Sequence, residues 1–179
     1  MNYASIYDLS IVDGIGIRTS LYVSGCRRHC KGCHNSKTWN FSYGEKYTEE
    51  TEKQILEALN HEYIQGFSLC GGEPMEEENQ RIIVSLLTKI KELYPHKDVW
   101  LWTGYEFEDL LPGGKKHCEV TASILSLVDV AVVGPFVLEE SDISDNNRWR
   151  CSRNQRVIDV QASLGIGKKV YLKNIPNNN

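Results

Sequence analysis

At 179 residues the chain is long enough for one domain with a substantial core, since a chain near this size removes roughly 70% of its unfolded surface from water. Its 20 Lys and Arg against 24 Asp and Glu leave a net charge of −4, so there is no basic excess to neutralise a phosphate backbone, and nucleic acid is not expected as a direct ligand. Met1-Asn2-Tyr3-Ala4-Ser5 lacks the basic region and apolar run of a signal peptide, and no apolar stretch approaches the ~18 residues that span a bilayer, so a cytoplasmic protein without membrane contact is expected.

In chain order, the first punctuation is Asp13-Gly14-Ile15-Gly16-Ile17-Arg18-Thr19. As a nucleotide-binding loop it fails, because it precedes the first clear strand and lacks the third glycine of GxGxxG. Apolar, β-branched runs at residues 20–23, 66–69, 99–102 and 128–133 predict short buried strands. Behind the first run and the turn-forming Ser24-Gly25 come three thiols in a Cx3Cx2C spacing, Cys26, Cys30 and Cys33. A closed zinc site takes four protein ligands, and an ordinary [4Fe–4S] cluster takes four thiolates. Three local thiolates on a four-iron cluster leave one iron open, which is how a metal site does chemistry rather than holding a fold. Thiolate suits either metal. From the spacing alone, a zinc site completed by His29, His34 or a distant cysteine stands level with a cluster.

Ile55, Leu56 and Leu59 follow acidic residues well placed for a helix N-terminus, and Ile82, Ile83, Leu86, Leu87, Ile90 and Leu93 keep helical spacing until Pro95 stops it. Between the two patterns, Cys70-Gly71-Gly72-Glu73-Pro74 reads as a strand-to-helix turn. Strands alternating with helices predict an α/β fold with a parallel sheet of right-handed β-α units. Residues 112–117 form a surface loop by composition. Arg148, Arg150, Arg153 and Arg156 gather near Trp149 and Asn154, either as a solvated basic loop or as a surface that docks a partner or steadies a carboxylate. Residues 156–160 and 169–172, joined through Leu164-Gly165-Ile166-Gly167, predict a C-terminal β-hairpin. Residues 176–179 are expected to fray, leaving a single domain over 1–175. Six cysteines, half of them crowded into eight residues, favour metal or redox use over disulfides. Cys70, Cys118 and Cys151 default to small buried hydrophobes, with Cys70 near the cluster by position.

Several of these segments together resemble the radical S-adenosylmethionine (SAM) superfamily, and within it the activating enzymes of glycyl radical enzymes. The thiol triplet fits the superfamily. Residues 13–19 resemble its DGPGxRT segment, with Ile15 where Pro is usual, and Gly71-Gly72-Glu73-Pro74 resembles its GGEP motif. Trp102-Thr103-Gly104-Tyr105 and residues 150–156 are similar to segments of the branch that activates anaerobic (class III) ribonucleotide reductase, with Cys151 where that family usually has Gly. The matches keep their order to about residue 173.

The resemblance implies an incomplete (β/α) barrel with its chemistry at the C-terminal strand ends. It also implies a [4Fe–4S] cluster on Cys26, Cys30 and Cys33 with SAM at the fourth iron. Gly71, Gly72 and Glu73 would serve the SAM amino group, and Gly32, Cys33 and His34 would touch the cofactor. The implied reaction is reductive cleavage of SAM to a 5′-deoxyadenosyl radical that takes hydrogen from a glycine of the reductase. The partners would be that glycyl radical protein and a low-potential electron donor such as flavodoxin or ferredoxin. The alternatives are an activase of another glycyl radical enzyme, such as pyruvate formate-lyase, and a non-catalytic docking module stapled by metal.

Overall fold

The computed structural model describes residues 1–144 and 147–178. Among them, seven strands form one open sheet: β1 (Asn2–Ser10), β2 (Ile17–Val23), β3 (Glu45–Lys46), β4 (Ile64–Gly71), β5 (Asp98–Trp102), β6 (Val130–Val133) and β7 (Arg156–Asp159), in the order β3-β1-β2-β4-β5-β6-β7. The four central strands β2, β4, β5 and β6 are parallel, β1 and β7 join them antiparallel, and β3 pairs antiparallel with β1 at the sheet edge. The class is therefore α/β with a mixed sheet. The strands expected at 20–23, 66–69, 99–102 and 128–133 fall in these central four.

Register explains how the sheet divides its side chains. Leu21, Leu69, Leu101, Ala131 and Ile158 lie in one row across five strands, and all are buried in the main core. One residue earlier, Ser20, Ser68, Trp100 and Val130 form the adjacent row, which points to the opposite face because side chains alternate along a strand. The first face is covered by α1 (Glu49–Leu59), α2 (Glu77–Leu93), the short α3 (Phe107–Leu110) and α4 (Thr121–Leu127). The second carries the polar and aromatic groups of the site described below.

The helices form where local chemistry directs. Thr48 caps α1 in a reciprocal box with Thr51, and Glu49, Glu50 and Glu52 sit at the positive end of its dipole. On α2, Ile83, Leu86, Leu87 and Ile90 repeat at three-to-four spacing and are fully buried, each worth roughly 1.5–3 kcal/mol of transfer. The helix ends at Tyr94, the residue before Pro95, as the proline ring requires.

Two expectations at the C-terminus are corrected. Residues 164–167 are not a hairpin turn, because Asp159 accepts from the Ala162 amide at 2.9 Å and starts a helix, α5 (Val160–Ile166), which Gly167 closes at φ 70°. The returning segment still meets β7 through a lone antiparallel bridge, Ile158 to Tyr171. Nor does the described end of the chain hang free: the Asn178 side chain exchanges hydrogen bonds with the Val157 backbone, and Arg150 donates to the carbonyls of Pro176 and Asn177. Asn179 lies outside the described residues. Among those described, no helix is long and apolar enough to cross a membrane.

Candidate functional site

A cavity of about 1280 Å³ opens where the parallel strands end, its walls drawn from the segments that follow β2, β4, β5 and β6. Cys26, Cys30 and Cys33 line it, together with Cys70 and Cys151, and all five are free thiols. Cys118, the sixth, lies away from it against Gln80 and Thr121.

The thiol loop and the glycine turn are built as one piece. Gly72 donates to the Val23 carbonyl at 2.7 Å and Glu73 to that of Gly25 at 2.9 Å, while Gly25 and Cys26 donate to the carbonyls of Thr38 and Trp39. The buried Asn79 amide bridges the carbonyls of Ser24 and Glu73 at 3.0 Å each. Gly71 is irreplaceable on steric grounds: its φ is 109°, and an added carbon would sit 2.5 Å from the Val23 backbone.

Two buried carboxylates brace this unit. Glu73 accepts from the Thr103 hydroxyl at 2.7 Å and the Met75 amide at 3.0 Å on one oxygen, and from the Gly104 amide at 2.8 Å on the other. Burial nevertheless pushes its pKa up to about 7. Glu76 accepts from the Arg27 amide at 3.0 Å, the Arg27 guanidinium at 3.1 Å, the Tyr105 hydroxyl at 3.0 Å and Lys116 at 2.7 Å. Its burial alone would raise its pKa, but Lys116, the Arg27 amide and Tyr105 together hold it below the usual carboxylate range. Burial pushes the Cys26 thiol up to about 11, with Glu73 and Glu76 adding to the rise against donation from the Arg28 and His29 amides. Without a metal that thiol is protonated, and a bound cation, which takes thiolate, must release the proton.

All eight residues singled out from the sequence, Cys26, Gly32, Cys30, Cys33, His34, Gly71, Gly72 and Glu73, line this one cavity. His34 is exposed and meets Phe136 edge-on at 6.4 Å, whereas His29 stacks on Trp39 at 4.6 Å instead of facing the cavity. Among the described residues no group of three or more His, Cys, Asp or Glu converges closely enough to hold a metal ion. A single zinc would need its thiolates about 2.3 Å from one point. Three free thiols lining one cavity supply the soft donors that an iron–sulfur cluster takes.

The segment at 13–19 has a supporting role. Asp13 accepts from the hydroxyls of Ser10 and Tyr22 at 2.7 Å each. Arg18, fully buried, pairs with Asp98 at 2.5 Å and donates to Ser68 and to the carbonyls of Ile15 and Phe67. The basic segment is largely used inside the molecule: Arg150 ties down the chain end, Arg156 donates to the carbonyls of Arg153 and Gln155, and the Trp149 indole donates to the Gly14 carbonyl. Sequence reasoning missed Glu76 and the clamping roles of Thr103 and Tyr105. Thr103 and Tyr105 lay within a quoted motif, but nothing in the run Glu76-Glu77-Glu78 marks the first as buried.

Residues 12–158 match the family described as 4Fe-4S single cluster domain. The similar proteins include several that carry the name anaerobic ribonucleoside-triphosphate reductase-activating protein. That of enterobacteria phage T4 is 40% identical over 88% of this chain and 93% of its own length. That of Vibrio cholerae is 40% identical over 87% and 96%, and that of Escherichia coli K12 is 39% identical over 88% and 97%.

Proposed function

The chain belongs to the family of anaerobic ribonucleoside-triphosphate reductase-activating proteins, and from that premise we propose that it activates an anaerobic ribonucleotide reductase through a [4Fe–4S] cluster on Cys26, Cys30 and Cys33, with SAM at the fourth iron. When bound, cluster and cofactor supply the electron that cleaves the SAM sulfonium and the 5′-deoxyadenosyl radical that takes a hydrogen atom from a glycine of the reductase. The observation that carries this reading is that all eight candidate residues line a single cavity. Its volume exceeds the roughly 300–1,000 Å³ of an ordinary small-molecule site, leaving space for a cofactor beside a cluster.

The residues of this chain bind, orient and exclude. Gly71 and Gly72 bring backbone close to the cavity where any side chain would collide with β2 or the thiol loop. A carboxylate offers about four acceptor sites. Glu73 spends three on Thr103, Met75 and Gly104, which fixes its plane and leaves one for the SAM ammonium. Gly32, at φ 73°, turns the loop back before Cys33, and His34 stands at the exposed edge for contact with the cofactor. The open sheet with its helices on one face is read as the incomplete barrel of the radical SAM type, carried by one domain over residues 1–175. A low-potential donor of the flavodoxin or ferredoxin kind would deliver the electron, in the cytoplasm.

Anaerobic reconstitution with iron and sulfide, followed by incubation with SAM and a strong reductant, tests the reading. Four irons per chain and release of methionine with 5′-deoxyadenosine are expected. One tightly held zinc and no SAM cleavage would contradict it.

A further inference from the structure

Of the cations in the thiol loop, Arg27 is paired with Glu76 and Glu78, and Lys31 with Glu139. Arg28 has no carboxylate partner among the described residues, although its side chain lines the same cavity as Cys26, Cys30 and Cys33. Its Nε is buried and makes no hydrogen bond. A buried donor left unsatisfied is costly, and more so when charged. Nor is the side chain loose: its guanidinium lies over the Tyr105 ring at 4.8 Å, and its Cδ and Nε lie against Gly104, where an added carbon would come within 2.5 Å of each. Glu73, the nearby carboxylate that feels its charge, accepts from Thr103, Met75 and Gly104 rather than from Arg28. A held, partly buried cation with an unsatisfied donor therefore sits in the wall of the cavity that the three thiols also line.

We propose that Arg28 is a positioning residue for the cluster charge: its guanidinium donates toward the sulfur of the bound cluster and raises its reduction potential. The inference rests on the reading that Cys26, Cys30 and Cys33 hold a four-iron cluster. Three thiolates make the cluster anionic, and reduction adds a further negative charge. Hydrogen bonds to cluster sulfurs and local charge are the protein's levers on its potential, and a fixed cation favours the reduced state. Glu73 and Glu76 act in the opposite sense when ionised, so Arg28 offsets them.

The test is a redox titration of the reconstituted, SAM-free protein, followed by electron paramagnetic resonance, for the wild type, Arg28→Gln and Arg28→Lys. Arg28→Gln is expected to disfavour reduction by about tenfold, or ~59 mV for a one-electron couple, with iron content unchanged. Arg28→Lys should recover at least half of that shift. Should Arg28→Gln not retain a cluster, the lysine variant decides alone: a potential within half of that shift of the wild type supports the proposal, and a larger drop overturns it. An unchanged potential in Arg28→Gln, with only SAM affinity altered, also overturns it. Failure of the wild type to assemble any cluster would instead defeat the reading on which the proposal rests.

Discussion

The Glu73 amide donates to the Gly25 carbonyl across 2.9 Å, so the turn that ends β4 and the turn that begins the thiol loop are a single hydrogen-bonded unit. Gly72 sits inside that seam. A carbon added there would lie 2.8 Å from the Gly25 carbonyl oxygen and 3.0 Å from that of Thr38, backbone atoms that cannot swing aside. Gly72→Val is thus expected to disturb the thiol loop as well as the cofactor pocket. Iron bound after reconstitution should fall to less than half that of the wild type, and a full iron complement with normal SAM affinity would show the seam to be tolerant.

Cys26→Ala, Cys30→Ala and Cys33→Ala should each lose the SAM-competent cluster, because each uncovers an iron beyond the one meant to be open. Cys118→Ala, away from the cavity, should retain it, and Cys70→Ala and Cys151→Ala should too, although both thiols line the cavity. Iron content and visible absorbance after anaerobic reconstitution read the outcome. SAM cleavage at the wild-type rate by any of the first three would remove that cysteine from the ligand set.

Glu73 gives the apoprotein a pH signature. Burial raises its folded-state pKa from the ordinary 4.5 to about 7, so between those values the folded state binds more protons than the unfolded one. Stability from this group is fully present below about pH 4.5, declines as pH rises toward 7, and is flat above that. The decline is at most about 3 kcal/mol at 1.36 kcal/mol per pH unit. Glu73→Gln should be less stable at low pH and lack this slope. Urea titrations of both proteins from pH 5 to 8 check it, and parallel curves would show that Glu73 does not titrate in this range.

Much of the site was legible because its chemistry is local. The Cx3Cx2C run, the glycine pair and the four apolar runs are short patterns whose spacing carries their meaning, and the first two meet at the ends of β2 and β4. What escaped depends on distant partners. Glu76 looks like any acidic residue at a helix start until Arg27, Tyr105 and Lys116 converge on it. Strand β1 was missed because Asn2–Ser10 mixes Tyr and Ile with polar residues and is only half-buried, so it lacks the continuous apolar run of a central strand. Helix α5 was mistaken for a turn because Gly165 and Gly167 bracket its end, while the Asp159 cap that starts it is a tertiary choice.

Gly165 itself offers a stability test independent of the metal. It lies in α5, is exposed, and an added carbon would meet nothing within 4 Å. Gly165→Ala should stabilise the apoprotein by about 0.5–1 kcal/mol, by limiting the unfolded chain and favouring helix. That corresponds to a Tm higher by roughly 1–4 °C for a chain of this size. Calorimetry showing a lower Tm would mean that α5 does not persist through that position.

The most direct test of the account is transfer of a hydrogen atom from the partner. The reconstituted protein, reduced and supplied with SAM, is mixed anaerobically with an anaerobic ribonucleotide reductase whose glycines carry deuterium. A glycine-centred radical on the reductase, seen by electron paramagnetic resonance, and one 5′-deoxyadenosine per radical carrying deuterium, seen by mass spectrometry, are the predicted results. Radical formation with unlabelled 5′-deoxyadenosine, or SAM cleavage that never yields a radical on the reductase, would contradict it.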